Sequence, residues 1–212
     1  MRNIHKAFTL AEVLIALAVV GVVAALVIPS LMSDMQKKIA VGTLGKATEQ
    51  VQNGCQNMIQ FRNEEIDGVG YYDKIASADP TFESHIAGYI GAKPENGANQ
   101  ILRTYSNNGQ ANPAAWNAAN RYRFSKFNAE VGFARRNGGD LTKLDTKVAD
   151  VYINVNPGTD TEPRLGRDVF LYEMDNSCRL IPVGLANPDA CPNDGGTNCA
   201  ARIVRDEYRI TY

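Results

Sequence analysis

From Val13 to Ile28 the chain carries no charged or strongly polar side chain, and its apolar character extends from Leu10 to Met32. As an α-helix rising 1.5 Å per residue, these ~23 residues reach roughly 35 Å, enough to span the hydrocarbon core of a bilayer. Arg2 and Lys6 lie just before the run, with no acid between them. A basic flank stays on the cytoplasmic side and directs the other end of the helix outward. The residues after the run are therefore expected to be exported.

A cleaved secretory signal would share the basic flank, the apolar stretch and small residues such as Ala24 and Ala25. Two features speak against it. The apolar stretch exceeds the usual ~7–15 residues of such signals, and Glu12 sits inside its leading edge. A carboxylate costs on the order of 2–3 kcal/mol at the centre of a membrane helix and less near an interface. Its presence needs a use.

The segment Ala7-Phe8-Thr9-Leu10-Ala11-Glu12 resembles the processing site of prepilins, in the type IV pilin and type II secretion pseudopilin family. The resemblance implies that a membrane prepilin peptidase cuts between Ala7 and Phe8 and N-methylates Phe8. Alanine stands at position 7 where the family usually has glycine, and its side chain is small enough for cleavage. Glu12 then falls at the fifth position of the mature chain, where the family keeps a glutamate. In an assembling filament its carboxylate would pair with the Phe8 amine of a neighbouring subunit, relieving the cost of a lone charge in lipid and fixing axial register. The implied partners are the prepilin peptidase, other pilin or pseudopilin subunits, an inner-membrane assembly platform and the lipid bilayer. The implied location is the bacterial inner membrane, single-pass with the head exported, and then a periplasmic or cell-surface filament.

Gly21 and Pro29 match places where the family keeps helix-weakening residues. Physically, Pro29 has no N–H to offer the Ala25 carbonyl, and its ring crowds the preceding turn. Glycine is a poor helix former, so Gly21 to Pro29 is a stretch able to bend or loosen. The resemblance implies that this stretch melts when subunits pack. Beyond it, Val41, Leu44, Ala47, Val51, Cys55 and Met58 recur at three- and four-residue steps, one apolar stripe of a continuing helix. Gly42 and Gly45 weaken that portion or allow a close helix contact. The expected organisation is a leader at 1–7, a transmembrane and assembly helix at 8–32, an amphipathic continuation at 33–61 and a globular head at 62–212.

The head holds about 150 residues, room for one modest core. Gly68 to Asn120 is rich in glycine, asparagine and proline and reads as loops, with a short helix within Pro80–Tyr89. Segments Tyr122–Phe127, Val148–Val155, Val169–Met174, Arg179–Val183 and Tyr208–Tyr212 carry β-formers bounded by turn residues. A long helix followed by short strands predicts an α+β fold with a small antiparallel sheet packed against the helix.

The loop in 152–172 offers oxygen ligands from Asn154, Asn156, Asp160, Glu162 and Asp168, the donor type that calcium prefers. The spacing is not that of an EF-hand. The segment resembles a pseudopilin loop that precedes a Gly-Arg-Asp-Val-Phe strand, with Asn154 where an acid would be expected. The competing reading is an Asx-stabilised hairpin loop without metal.

Cys55, Cys178, Cys191 and Cys199 allow three pairings in an exported domain. Cys191 and Cys199 bracket the Gly-rich segment Pro192–Asn198, which can fold back, and local closure predicts that they pair. The run from Cys199 to Tyr212 resembles the terminal strand of the same pseudopilin-like group, where a cysteine pair closes a comparable loop. Cys55 and Cys178 remain open. Zinc would need paired Cys-x-x-Cys motifs or nearby histidines, which are missing.

The common hydrolase, nucleotide-binding and metalloprotease motifs are missing too. His5 lies in the expected leader, His85 reads as a surface helix residue, and Asp67, Asp73 and Glu83 read as solvated loop carboxylates. Nothing assigns catalysis. The net charge of −1 provides no whole-protein attraction to nucleic acid. Two classes of function compete. One is a filament subunit, of a type IV pilus or a type II secretion pseudopilus. The other is a membrane-tethered minor pilin whose head binds DNA or a surface. For DNA the hints are Arg121–Phe127 and Arg135-Arg136, which read more simply as solvated strand residues.

Overall fold

The structure, a computed structural model, describes residues 9–60, 82–95, 102–103, 121–136, 146–158 and 162–212. It divides into two compact units, Met1–Ile39 and Ala40–Tyr212. Helix α1 (Leu10–Gln60) contributes to both. In the first unit its side chains are almost all exposed. In the second, the stripe Val41, Leu44, Ala47, Val51, Cys55 and Met58 is buried in the core of the head.

The head is α+β. Strands β1 (Ala92–Pro94), β2 (Arg121–Phe124), β3 (Glu130–Arg135), β4 (Lys147–Asn154), β5 (Val169–Asp175) and β6 (Leu180–Pro182) form one sheet in chain order. Every neighbouring pair is antiparallel, so the sheet is a meander. Helix α2 (Phe82–Tyr89), a 3₁₀ turn (Pro188–Ala190) and helix α3 (Cys199–Arg205) complete the described elements. The register, with Val131↔Ile153↔Phe170 and Phe133↔Val151↔Tyr172, aligns one face of three strands. That face packs with the α1 stripe, Ile86 and Ile90, and Ala200 and Ile203 of α3. One residue out of step, Tyr152 and Val169 meet Leu102 and Leu165 in a second cluster on the other face. The central strands are buried on the first face and over much of the second.

Double-sided burial explains where the sequence misleads. Strand β3 lies outside the predicted set because its face alternation is blurred: Glu130, Val131, Gly132 and Phe133 are all buried. Arg121 and Arg123, expected on a solvated face, share the second face of β2. Arg121 is 1% exposed and lies 3.7 Å from Glu130, while Arg123 bridges Glu95 at 2.7 Å and Glu130 at 2.6 Å. Arg136 bonds Asp150 and Glu173. Glu83, expected in solvent, is buried in the first turn of α2. His85 is half-buried on the same helix. The short β1 carries Pro94 at the sheet edge, where a missing N–H costs no ladder bond.

The predicted terminal strand is also corrected. Cys199–Arg205 is helical, with Cys199, Ala200, Ala201 and Ile203 buried, and its alanines and arginines favour helix. Glu207 and Tyr208 then take left-handed φ of 55° and 59°, which turn the chain as α3 ends. Residues 208–212 form no strand; Tyr212 instead donates its hydroxyl to the Gly166 carbonyl at 2.9 Å. Gly42 and Gly45 have nothing within 4 Å of a would-be Cβ, and the close helix contact falls at Gly54 against Ile90.

Candidate processing and assembly segment

Ala7 and Phe8, as well as His5, Asp67, Asp73 and Asp160, lie outside the described residues. The described chain starts with Thr9, one residue past the expected cut, and Thr9 is the N-cap of α1. Its carbonyl accepts the Val13 N–H at 3.2 Å, the first bond of the helix. The Thr9 hydroxyl accepts the Glu12 N–H at 3.3 Å, while Glu12 Oε2 accepts the Thr9 N–H at 2.9 Å and the Thr9 hydroxyl at 2.8 Å. This is a capping box: the N-cap and N3 side chains reciprocally satisfy two donors that the helix leaves orphaned. The carboxylate also lies at the positive end of the helix dipole.

Thr9 was not among the expected site residues. Its signal was present in the sequence, since a threonine followed three residues later by a glutamate before an apolar run marks a capping box. The box survives the expected cut, because Phe8 still supplies the peptide bond to Thr9.

Past the cap, apolar side chains point outward on all sides, from Leu10 at 80% exposed to Val27 at 44%. A helix that is apolar all round is stable only when something apolar surrounds it. The helix is long and apolar enough to cross a membrane, and its apolar stretch is unburied within the protein. Gly21 and Pro29 both lie inside α1, which runs unbroken through them. The Ser30 hydroxyl next to Pro29 donates to the Val27 carbonyl at 2.9 Å.

In the head, Cys55 is joined to Cys178 and Cys191 to Cys199. Cys178 sits in the β5–β6 hairpin with a left-handed φ of 64°. Buried Asp175 sets that turn: its Oδ1 accepts the Ser177 and Arg179 N–H groups, both at 2.9 Å, and its Oδ2 accepts Arg179 Nε at 2.7 Å. In the other disulfide loop, Asp194 accepts the Gly196 and Asn198 N–H groups at 3.0 and 2.8 Å. That loop presses on the turn before β5. A Cβ on Gly166 (φ 77°) would lie 2.6 Å from Cys199 Sγ.

Asn154, Asn156 and Asp168 are brought together, but by bonds among themselves. Asn154 Oδ1 accepts the Asn156 N–H at 3.0 Å, and Asn156 Nδ2 reaches Asp168 Oδ1 at 3.5 Å. Asp168 Oδ2 accepts the Arg164 N–H and Arg167 Nε at 3.0 Å and Arg167 Nη2 at 2.7 Å. Glu162 is ion-paired with Arg103. Asn154, Asp168 and Glu162 thus accept from donors of the chain itself. A shallow cleft of about 410 Å³ opens elsewhere on the head, with Lys46, Asn53 and Asn57 of α1 facing Tyr89, Lys126 and Phe127.

Comparisons with curated proteins and with solved structures return no match. The prokaryotic N-terminal methylation motif matches residues 2–28, the stretch that holds the expected cut, the capping box and most of the apolar run. That match supports membership of the type IV pilin and pseudopilin family, as a subunit of the prepilin-processed kind.

Proposed function

We propose that the chain is a structural subunit of a type IV filament or a type II secretion pseudopilus. The peptidase cuts between Ala7 and Phe8 and methylates Phe8. The helix from Leu10 to Met32 holds the subunit in the inner membrane, with the head exported, until it joins the filament through the assembly platform. The observation that carries this reading is the capped glutamate at the start of an otherwise uniformly apolar, exposed helix. In the lone subunit the cap supplies Glu12 with local donors. In the filament the methylated amine of a neighbour offers it a charged partner, which makes a stronger bond than a neutral hydroxyl. Gly21 and Pro29 let the helix adjust as it leaves lipid for the bundle.

The test is intact-mass and N-terminal analysis of the mature protein in a strain carrying the peptidase, joined to recovery of sheared filaments. A chain starting at methylated Phe8 and recovered in filaments is expected. A chain that keeps Met1, or is cut near Ala25, overturns the reading.

The tethered binding module draws on the cleft between Lys46 and Lys126. Its DNA version loses support from Arg121, Arg123 and Arg136, whose guanidinium groups are matched by acids. Deleting the assembly ATPase separates the two classes: surface display collapses for a filament subunit and persists for an anchored binder.

A further inference from the structure

We infer that the two described ends of the 154–168 loop, residues 154–158 and 162–168, are held together by the chain's own arginines and that the head folds without a divalent cation. Each described carboxylate in or beside the loop already has a guanidinium partner. Asp168, 5% exposed, takes two N–H groups of Arg167 and the backbone N–H of Arg164 on a single oxygen. Glu162 takes Arg103. Glu130, fully buried below Asn154, takes Arg123 at 2.6 Å and has Arg121 at 3.7 Å.

The amide oxygens do not make up the difference. Calcium gathers six to eight oxygens around one point. Here Asn154 Oδ1 accepts the Asn156 N–H, and the Asn154 amide group donates to Glu130 at 3.4 Å. No group of three or more His, Cys, Asp or Glu side chains among the described residues could hold a metal ion. A divalent cation drawn to Asp168 would also meet the Arg167 guanidinium, whose two N–H groups already converge on Oδ2 of that carboxylate. Backbone bonds add to the closure: the Val155 N–H donates to the Asp168 carbonyl at 2.8 Å. Across the parallel bridge of Arg103 with Arg164, the Arg103 N–H donates to the Pro163 carbonyl and the Leu165 N–H to the Arg103 carbonyl, both at 2.9 Å. The turn's far side is fixed by Tyr212 and the Cys191–Cys199 loop. Arg167 within the loop and Arg103 and Arg123 from outside it supply the positive charge.

The experiment uses the full-length protein in detergent micelles, with thermal melting of the head followed by near-ultraviolet circular dichroism in EDTA and in millimolar calcium chloride. The wild-type midpoint is expected to be the same in both media. Arg167→Gln is expected to lower the midpoint in EDTA, with Arg167→Lys in between because it keeps the charge and loses the fork. Direct calcium titration of the wild type by calorimetry needs no variant and is expected to show no saturable heat. A wild type that melts lower in EDTA, or that binds one calcium per chain, overturns the inference. So does an Arg167→Gln protein that melts like the wild type in EDTA.

Discussion

Gly54 of α1 and Ile90 after α2 meet with no room for a side chain between them: a Cβ on Gly54 would lie 3.0 Å from the Ile90 Cα and N and collide with its side chain. Gln50, one turn earlier on α1, donates its amide to the Ile90 carbonyl at 2.6 Å, which pins the same contact. Gly54→Ala therefore forces helix and loop apart and should cost about 1–3 kcal/mol. Gly42→Ala, with open space around it, should instead add up to ~1 kcal/mol from helix propensity. Guanidinium unfolding of the head reads both. Equal effects of the two substitutions would show that the Gly54 contact is not tight.

The capping box separates two roles of Glu12. Thr9→Ala removes the hydroxyl and should loosen the start of α1 by roughly 0.5–2 kcal/mol, seen as faster amide exchange at Leu10 to Val13. It keeps the carboxylate, so filament yield should be near normal. Glu12→Ala loses both cap and charge and should assemble poorly while still being cleaved. Filaments of normal yield from Glu12→Ala, without wild-type subunits, would show the charge to be dispensable.

Burial pushes the Glu130 carboxyl above its ordinary value of 4.5, against the pull of Arg123 and Arg121. The folded head then holds this proton more tightly than the unfolded chain does. Its contribution is fully present below the unfolded value and is lost as pH rises through the folded one. In Glu130→Gln that pH dependence disappears. The stability of wild type relative to the variant should therefore fall as pH climbs from about 4.5 toward neutrality, measured by unfolding both proteins in parallel. A difference that grows over that window would mean that the arginines outweigh burial.

The two disulfides should differ in weight. Loop-closure entropy assigns about 5 kcal/mol to Cys55–Cys178, with a sequence separation of 123, and about 2.5 kcal/mol to Cys191–Cys199, with a separation of 8. Paired Cys→Ser variants, compared by denaturant midpoint, should rank in that order. Peptide mapping without reductant that joined Cys191 to Cys55 or Cys178 would refute the pairing itself.

How far the sequence could be read depended on how many faces of each element are buried. The α1 stripe from Val41 to Met58 was legible because the helix buries one side only. Val169–Met174 was legible through its β-formers and flanking turns. Strand β3 was not, since Glu130 is buried as completely as Phe133, its charge matched by arginines that come from another strand. Tyr208, Ile210 and Tyr212 alternate like a strand, but two left-handed residues, Glu207 and Tyr208, turn the chain as α3 closes. The Thr9–Glu12 box was written in four residues, yet the carboxylate drew all the attention and its hydroxyl partner none. The pairing of Cys55 with Cys178 depended on contacts across most of the chain, which local spacing does not encode.

The Cys55–Cys178 bond also decides where a pulling force would travel. Tension entering the head along α1 reaches Cys55 and can pass straight to Cys178 through a covalent bond. The chain from Gln56 to Ser177, with the first five strands of the meander, then lies outside the load path. Only the short stretch from Cys178 onward is left to transmit the pull, and Cys191–Cys199 shortens it again. The sheet could lose every hydrogen bond without lengthening the loaded chain between Cys55 and Cys178.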